Sequence, residues 1–569
     1  MRMRMGGGVV GPGESALLRF LSGMRDWERE GVPRGAAAAM EIVNSSGGEK
    51  RSGVDVLDVT PLRRLLLRLG EPQQAMRNVH VGGTKGKGST CALIAASLRA
   101  ADIRTGVFTS PHVRSIRERL STAHNGASAT DEQLGALIDE WAPRIERATA
   151  SEPRCSLTHF ETLTALAFVH FAQEACAAAI IEVGIGGARD ATNVIPPEAL
   201  ALAVVTNVGE EHVDALGGSL NAIARAKAGI AKRDRPLLLG PAAFFSGETA
   251  ATVRIAAEEH GAQVIETSEY DAKVELIRRT SSSSSSSSPP PSSTSSDPHR
   301  KTERSANSDD SQHSFRETWR VSIQSLGDPF IVHSRLMGSF QRQNATTAAA
   351  AIAYLAAHER TLIYPSLTAA GDTRNRHDAM RRAIAAGFEA SELIGRFQIV
   401  PLPPPGGDSS SSPGGQRRRG KGNSIPCVLD GAHTVSAAEA LVSSLAEHFP
   451  GVKPIVIVAM ASDKDHEGFA RTMQNAKPVA VICCETVIAD GAARSTRASD
   501  LRSAWLRGAG TGTTIPILVE EDDGHGEGIA RSLQRASAML SQQTNGDALV
   551  VLTGSLHAVG AGLNALRPR

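Results

Sequence analysis

VHVGGTKGKGST, the stretch from Val79 to Thr90, is the part of the chain that says most about the fold. An apolar, β-prone run leads into a turn crowded with glycines, and the residues CALIAASLRA that follow have the apolar spacing of a helix. A strand, a glycine-rich turn and a helix in this order direct backbone N–H groups and the positive end of the helix toward an anion. The stretch therefore predicts a phosphate-binding loop, and a glycine-rich turn without a ligand is the alternative.

The side chains of this loop fit the same prediction. Lys87 is placed to reach the outer phosphates of a nucleotide, and Ser89 or Thr90 supplies a hydroxyl for Mg²⁺. In the ordinary mononucleotide loop a Ser or Thr directly follows the Lys, whereas Gly88 intervenes here. The residues predicted to bind nucleotide in this loop are Gly83, Thr84, Lys85, Gly86, Lys87, Gly88, Ser89 and Thr90.

Apolar β-prone runs alternate with helical patterns along most of the chain, as a doubly wound parallel sheet requires. In the first half these runs are residues 79–81, 103–109, 177–183, 200–208 and 236–240. Residues 272–278 and 319–325 alternate in the manner of antiparallel strands joined by an overgrown hairpin loop. After residue 393 the strand-like runs are 428–429, 454–460, 480–484, 515–519 and 548–553. We predict an α/β protein with two domains, an N-terminal P-loop, parallel-sheet, ATPase-like domain that carries a small antiparallel sheet and a C-terminal Rossmann-like α/β domain.

Composition suggests where these domains begin and end. Residues 1–50 are expected to be unstructured or loosely ordered, 51–388 to form the ATP-binding domain and 389–569 the C-terminal domain. The tracts 280–318 and 403–423 are rich in Ser, Pro, Gly and Arg and have too little apolar surface to offset chain entropy. Both are predicted to be disordered insertions.

Charge and cysteine content exclude several classes of partner. A formal net charge of +1 gives no polycationic signature for nucleic acid, and no apolar run approaches the roughly 20 residues that cross a bilayer. Six cysteines without metal-ligand spacing predict buried free thiols in a reducing compartment. The expected location is the cytoplasm. The basic, acid-free start MRMRMGGGVVGPG leaves a mitochondrial or plastid location as the alternative.

Three further residues can be interpreted from the sequence pattern alone. Glu182 ends an apolar strand and precedes three glycines, so its carboxylate is expected at the same edge as the phosphate loop, where a hard oxygen ligand suits Mg²⁺. A solvated strand-end acid is the alternative. Lys227 reads, from pattern alone, as an exposed helix lysine. Asp430, just beyond an apolar strand, also fits a helix cap.

The extra Gly88 points to a family. GTKGKGST resembles the phosphate loop of folylpolyglutamate synthases and dihydrofolate synthases, the folate branch of the Mur ligases. Further segments match that family in order: TSPH at 109–112, EVGIGGARDATNV at 182–194, TNVGEEHVDALGGS at 206–219, IARAKAGI at 223–230, GSFQRQNA at 338–345, GRFQ at 395–398, LDGAH at 429–433, SDKD at 462–465 and TGS at 553–555. The resemblance spans nearly the whole chain beyond about residue 50.

The resemblance implies roles for individual residues. It implies ATP and two Mg²⁺ ions, with metal ligands at Ser89, Ser110, Glu182, His212 and a carbamylated Lys227. Nucleotide contacts are implied for Asn344, Arg396, Asp430 and His433, and a glutamate contact for Ser555. Lys87, Lys227 and His433 are the expected catalytic residues. The chain departs from the family pattern at Glu211, Ala226, Phe340 and Thr434, where Asp, Glu, His and Asn are usual.

The activity implied is an ATP-dependent folate:L-glutamate ligase. ATP would phosphorylate a folate-side carboxylate, and the amine of glutamate would displace the phosphate. Dihydropteroate and a reduced folate are both open as the acceptor, with a slight preference for dihydropteroate from the strings THFETLTALAF and GGARDATNV. We expect a monomer with small-molecule substrates and no nucleic-acid or membrane partner. The alternatives are a Mur-type ligase of a cell-wall peptide and a nucleotide-binding regulator without catalysis.

Overall fold

The computed structural model describes residues 4–5, 8–26, 58–122, 126–150, 157–211, 213–280, 315–359, 362–363, 373–403, 424–486, 495–510, 514–521, 527–541 and 548–566. These residues form two lobes, each built on a mostly parallel sheet. The first lobe includes the described residues up to Ala390, and the second includes those from Gln398 onward. The predicted fold class, with a small antiparallel sheet in the first lobe, is confirmed.

A seven-stranded sheet organises the first lobe. Its strands are β3 Arg77–Gly82, β4 Thr105–Phe108, β5 Leu120–Ser121, β6 Ala178–Glu182, β7 Leu200–Val205, β8 Pro236–Leu239 and β9 Gln263–Glu266. They lie in the order β5-β4-β6-β3-β7-β8-β9, and only β5 runs antiparallel to its neighbour. The central strands are buried on both faces by helices, which explains their continuous apolar sequence.

Nine helices are described in the first lobe: α1 Pro12–Leu21, α2 Thr60–Arg68, α3 Lys87–Ala100, α4 Asp131–Ala150, α5 His159–Gln173, α6 Leu220–Ala228, α7 Gly247–Glu259, α8 Ser339–His358 and α9 Thr373–Ala390. They form two apolar cores, one on each face of the sheet. Helix α3, which follows the phosphate loop, packs against both α8 and α9. The loop is thereby held between the sheet and this helical layer.

The antiparallel sheet consists of β10 Lys273–Thr280, β11 Arg316–Ile323 and β12 Gly327–Ser334. Strands β10 and β11 pair as the two arms of a hairpin, with Thr280 opposite Arg316. The insertion predicted at 280–318 therefore needs correction at both ends, because residue 280 and residues 316–318 belong to paired strands. The rest of it lies outside the described residues apart from Phe315, and so does the insertion predicted at 403–423 apart from Pro403.

The second lobe has a six-stranded sheet. Its strands are β13 Gln398–Leu402, β14 Ile425–Leu429, β15 Ile455–Val458, β16 Ala480–Cys484, β17 Ile517–Glu520 and β18 Val550–Thr553, in the order β13-β14-β18-β15-β16-β17. Only β13 is antiparallel. The helices described around it are α10 Val435–His448, α11 His466–Met473, α12 Ala498–Ala509, α13 Gly528–Ser541 and α14 Leu556–Ala565.

Part of the segment 1–50 is folded, contrary to the sequence-based expectation. A two-stranded ribbon, β1 Arg4–Met5 with β2 Gly8–Val9, precedes helix α1. Leu17 and Leu21 of this helix are buried in the core of the first lobe, and the carboxylate of Asp131 accepts hydrogen bonds from two N–H groups at its start. The apolar face of a ten-residue helix was hidden by the glycine-rich composition around it.

Two findings bear on the predicted environment. Five cysteines, Cys91, Cys176, Cys427, Cys483 and Cys484, are buried free thiols as expected, and Cys155 lies outside the described residues. Among the helices that the structure describes, none is both long and apolar enough to span a membrane.

Candidate active site

A cleft of about 2460 Å³ opens between the two lobes and collects most of the residues predicted from sequence. The first lobe contributes the phosphate loop, Ser110, Glu182 and Asn344, and the second contributes Arg396, Asp430, His433 and Ser555. Gly83, Thr90 and Lys227 lie behind this surface rather than in the lining. His212 lies outside the described residues.

The phosphate loop needs its glycines for packing as well as for backbone conformation. Gly86 precedes helix α3 with a φ of +81°, and a Cβ atom there would lie 2.1 Å from Oδ1 of Asn344. Gly83 has a φ of +139°, and its Cβ would lie 1.9 Å from Oγ1 of Thr206. Any side chain at either position would clash and strain the backbone. The loop therefore sits directly against helix α8 and the end of strand β7.

Asn207, which was not among the predicted site residues, fixes the shape of this loop. Its Oδ1 accepts hydrogen bonds from the backbone N–H groups of Thr84 and Lys85, at 2.9 and 2.8 Å. Nζ of Lys87 donates to the carbonyl oxygens of Gly83 and Thr84. The available signal was the position of Asn207 just after an apolar strand parallel to the one that leads into the loop.

Glu182 stands at the end of β6 beside the loop and is only 5% exposed. Its Oε2 accepts a hydrogen bond of 3.0 Å from the N–H of Ser110. Burial raises the pKa of this carboxyl, although the charge of Lys87 acts in the opposite direction. A buried carboxylate of this kind is stabilised by a bound cation.

The donor chemistry fits Mg²⁺ held together with phosphate oxygens. The described residues contain no cluster of three or more His, Cys, Asp or Glu side chains that would hold a metal alone. The cleft lining contains the carboxylate of Glu182 and the hydroxyls of Ser89 and Ser110, which are hard oxygen donors. Such a set suits Mg²⁺, because this ion usually completes its coordination with water molecules and substrate phosphates.

Lys227 is buried rather than exposed, so the pattern-based interpretation of a solvated helix lysine does not hold. The residue is 3% exposed near the end of helix α6. Burial, followed by the charge of Lys87, lowers its pKa to about 7, while Glu211 opposes the shift. Glu211 itself forms a salt bridge of 2.6 Å with Lys85. A large fraction of the Lys227 amine is therefore uncharged near neutral pH.

Asp430 and His433 follow strand β14 in the second lobe. The two carboxylate oxygens of Asp430 accept hydrogen bonds from the N–H groups of Phe397 and Ala432, at 2.8 and 2.9 Å. Asp430 thus shapes the backbone here, as a capping residue does. Nδ1 of His433 lies 2.8 Å from the carbonyl oxygen of Gly431 and must donate to it, which leaves Nε2 as an acceptor. Burial, followed by the charge of Lys85, lowers the pKa of His433 to about 4, so the ring is neutral at pH 7.

Arg396 joins the two halves of the site electrostatically. Its charge acts on the pKa of Glu182 and Lys85 in the first lobe and on that of Asp430 in the second. Ser555 caps the start of helix α14, and its Oγ accepts a hydrogen bond of 3.0 Å from the N–H of Ala558. At the departures from the family pattern, Phe340 lines the cleft and Thr434 caps helix α10.

A further part of the cleft lining comes from helix α5 and the glycine-rich turn after β6. Phe160, Glu161 and Asp190 line it, and none of them was predicted as a site residue. Oε2 of Glu161 accepts hydrogen bonds from the N–H and hydroxyl of Thr158 at the start of α5. Burial raises the pKa of Glu161, and the neighbouring charges of Asp58 and Asp190 raise it further.

Comparison with known proteins agrees with this architecture. The Mur ligase middle domain matches residues 81–352, and the Mur ligase glutamate ligase domain matches residues 416–556. The dihydrofolate synthase/folylpolyglutamate synthase of Bacillus subtilis is 28% identical over 73% of this chain and 77% of its own length. The folylpolyglutamate synthase of Lacticaseibacillus casei is 40% identical, over 31% of this chain and 40% of its own length.

Among solved structures, the folylpolyglutamate synthase of Mycobacterium tuberculosis in complex with ADP and AMPPCP has a TM-score of 0.63 at 23% identity. The match covers 94% of this chain and 99% of that one. Two domain matches in the expected order, relatives of one named kind and a shared fold lead to one conclusion. The chain belongs to the Mur ligases, in their branch of folylpolyglutamate and dihydrofolate synthases.

Proposed function

We propose that this protein is an ATP-dependent ligase that joins L-glutamate to a folate-type carboxylate. The observation that carries the proposal is the meeting of the phosphate loop, Ser110 and Glu182 from one lobe with Arg396 and His433 from the other, across one cleft. The match to the dihydrofolate synthase/folylpolyglutamate synthase of Bacillus subtilis, which covers 73% of this chain, supports the same proposal.

The first step is transfer of the terminal phosphoryl group of ATP to the acceptor carboxylate, because a free carboxylate has no leaving group. Lys87 and Arg396 would stabilise the charge that develops on the transferring group. A Mg²⁺ ion, when bound, neutralises phosphate charge. Ser89, Ser110 and Glu182 would hold one such ion, and His212 and Lys227 a second.

Lys227 fits the second metal position only if its charge is reversed. We propose that CO₂ adds to its neutral amine to give a carbamate, with release of one proton. The lowered pKa of about 7 supports this step, since the amine must be unprotonated to attack CO₂. A solved relative binds Mn, AMPPNP and L-glutamate, which supports a divalent ion beside the nucleotide.

The second step is attack of the glutamate amine on the acyl phosphate, which forms the amide C–N bond, breaks the C–O bond to phosphate and releases inorganic phosphate. The neutral His433 presents Nε2 as an acceptor for a proton of that amine, and Ser555 would contact the glutamate. Asn344 and Asp430 would contact nucleotide. The second lobe keeps water from the acyl phosphate.

The acceptor, the domain limits and the cellular setting are further proposals. Relatives carry both synthase names, so dihydropteroate and reduced folates are both proposed acceptors. The limits 51–388 and 389–569 are supported by domain matches that fall inside them, but helix α1 also belongs to the first domain, and helix α9 extends that domain to residue 390. We also propose that the protein is a monomer that acts on small molecules only. Its proposed location is the cytoplasm, with a mitochondrion or plastid as the alternative.

The direct test is ADP release by the purified chain with dihydropteroate or with tetrahydrofolate, each with and without L-glutamate. We expect glutamate-dependent ADP release and an amide product that mass spectrometry identifies. A matched Lys87→Ala protein, which removes the cation at the outer phosphates, should lose at least about 100-fold in kcat. ADP release at the same rate with and without L-glutamate, or near-normal turnover by a folded Lys87→Ala protein, would contradict the proposal.

A further inference from the structure

The buried carboxylate of Glu317, outside the cleft, accepts hydrogen bonds from four different residues. Glu317 on strand β11 is fully buried, and it accepts hydrogen bonds from the indole N–H of Trp319 at 2.6 Å and from the N–H of Gly338 at 3.1 Å. The guanidinium of Arg342 and Nε2 of His448 donate at 2.8 Å each. Burial alone would raise the pKa of Glu317, but the hydrogen bonds from His448, Trp319 and Arg342 lower it to about 2.

This cluster joins the two lobes. Glu317 and Arg342 belong to the first lobe, whereas His448 is the last residue of helix α10 in the second. Glu447, next to His448, accepts hydrogen bonds from both Arg342 and Arg279 of the first lobe. Removing one member of a buried ionic pair is costly, so the end of α10 is firmly fixed to the first lobe.

Helix α10 connects the cluster to the active site. Its start follows His433, and residues of its first two turns line the cleft, while its last two residues are held by Glu317, Arg342 and Arg279. Arg342 also lies on the same helix as Asn344, which contacts the phosphate loop at Gly86. The cluster therefore touches elements that carry site residues from both lobes.

A second connection runs through Phe397. The rings of Phe397 and His448 have centroids 5.1 Å apart, and Phe397 is almost fully buried. Its backbone has a φ of +53°, the left-handed region that a bulky residue rarely adopts, and its N–H donates to Asp430. Such strain persists only where the surroundings hold it in place. Arg396 immediately precedes this residue, so the direction of its side chain depends on the strained backbone.

We propose that Glu317 and His448 are positioning residues for the ligase reaction, which act through Phe397 and helix α10 to hold Arg396 and His433 over the phosphate loop. This inference rests on the proposed function, since it assigns Arg396 and His433 to phosphoryl transfer and amide formation. Loss of the cluster would leave the fold of each lobe intact and let the second lobe shift. The acyl phosphate would then be exposed to water.

The test compares Glu317→Gln and His448→Phe with Glu275→Gln, a matched change on the exposed side of the neighbouring strand β10. We expect a roughly 10-fold fall in kcat in the first two proteins, more ADP released per amide formed, and normal values in the control. His448→Gln, which keeps a donor for Glu317 but not the ring, provides a second variant if Glu317→Gln does not fold. Calorimetric binding of a non-hydrolysable ATP analogue gives a readout that needs no turnover.

Double variants distinguish positioning from general damage. If the cluster acts through Arg396, adding Glu317→Gln to Arg396→Ala should cost much less kcat than Glu317→Gln costs alone. Additive losses, or an unchanged ratio of ADP to amide in both cluster variants, would overturn the proposal. Failure of the proposed function is a separate result, because it would appear as no glutamate-dependent ADP release by the unmodified chain.

Discussion

Lys227 combines deep burial with a lowered pKa of about 7, and it is placed among Lys85, Lys87 and Glu211. We expect Lys227→Ala to lose at least about 100-fold in kcat, because the site would lack the anion that a carbamate supplies. Stripping CO₂ and bicarbonate from the buffer should lower the activity of the unmodified protein, and ¹³C-labelled bicarbonate should give a carbamate signal by NMR that Lys227→Ala lacks.

Lys232 provides the matched control for that experiment. Lys232 is half-buried, and burial followed by the charge of Arg63 lowers its pKa to about 8, but the charges of Lys85, Lys87 and Glu211 act on Lys227 and not on Lys232. Lys232→Ala should lower the melting temperature and leave kcat and the carbamate signal unchanged. A fully active Lys227→Ala protein would remove the carbamate from the mechanism.

The sequence indicated which of these residues lie near one another in the site, but it did not indicate their burial or their hydrogen-bond partners. The motifs placed Lys87, Ser110 and Glu182 at one edge of the sheet because all three follow parallel strands. The burial of Lys227 depends on tertiary packing, which helical periodicity alone does not show. The double role of Asp430 as an acceptor for Phe397 and Ala432 likewise depends on a backbone path that no local pattern specifies.

At the scale of single elements, the phosphate loop depends on one side chain from the neighbouring strand end. Asn207→Ala would remove the acceptor of the Lys85 N–H and leave the Thr84 N–H with only the backbone carbonyl of residue 207, at a cost of about 1–3 kcal/mol. We expect KM for ATP to rise by about 10-fold, in initial-rate measurements. Asn207→Asp keeps an acceptor oxygen and should recover much of the affinity, whereas Asn221→Ala on the exposed side of helix α6 should have no effect.

The hairpin of β10 and β11 makes a second prediction at this scale. Replacing residues 281–314 with Asn-Gly leaves a three-residue connection that ends at Phe315, whose ring lies 5.6 Å from that of Phe449. Each halving of loop length lowers the cost of closing a loop by about 0.6 kcal/mol. The melting temperature should therefore stay the same or rise, and kcat should not change. A large fall in melting temperature would show that the replaced tract is packed.

Strand prediction succeeded where strands are buried on both faces, and the four strands that it missed in the three larger sheets all lie at sheet edges, although the edge strands β10 and β17 were predicted. The runs that became β3, β6, β7 and β16 are continuous and apolar, so they needed no tertiary information. Strands β5, β9, β12 and β13 are short or mostly exposed and have no such pattern. Strands β5 and β13 pair antiparallel at the edges of the two main sheets, and the alternation of strands and helices in the sequence did not predict them.

At the scale of the whole molecule, Glu317 couples stability to pH. Its folded pKa of about 2 lies below the ordinary 4.5, so the folded protein binds this proton more weakly than the unfolded chain does. The stabilisation, on the order of 3 kcal/mol, is present above about pH 4.5 and is lost as pH falls toward 2. We expect the melting temperature of the unmodified chain to exceed that of Glu317→Gln at pH 7, and the difference to shrink by pH 3. A difference that does not depend on pH would contradict this assignment.

The five buried cysteines allow local unfolding of each lobe to be measured separately. Cys91 and Cys176 lie in the first lobe, and Cys427, Cys483 and Cys484 in the second. Burial raises the pKa of Cys176 to about 11 and of the second-lobe thiols to about 12, so almost no thiolate is available to an alkylating reagent. Alkylation should wait for local unfolding, and peptide mapping after a timed pulse would read the two lobes separately. The alkylation rates of the chain's own cysteines would therefore show which of the two lobes unfolds locally more often.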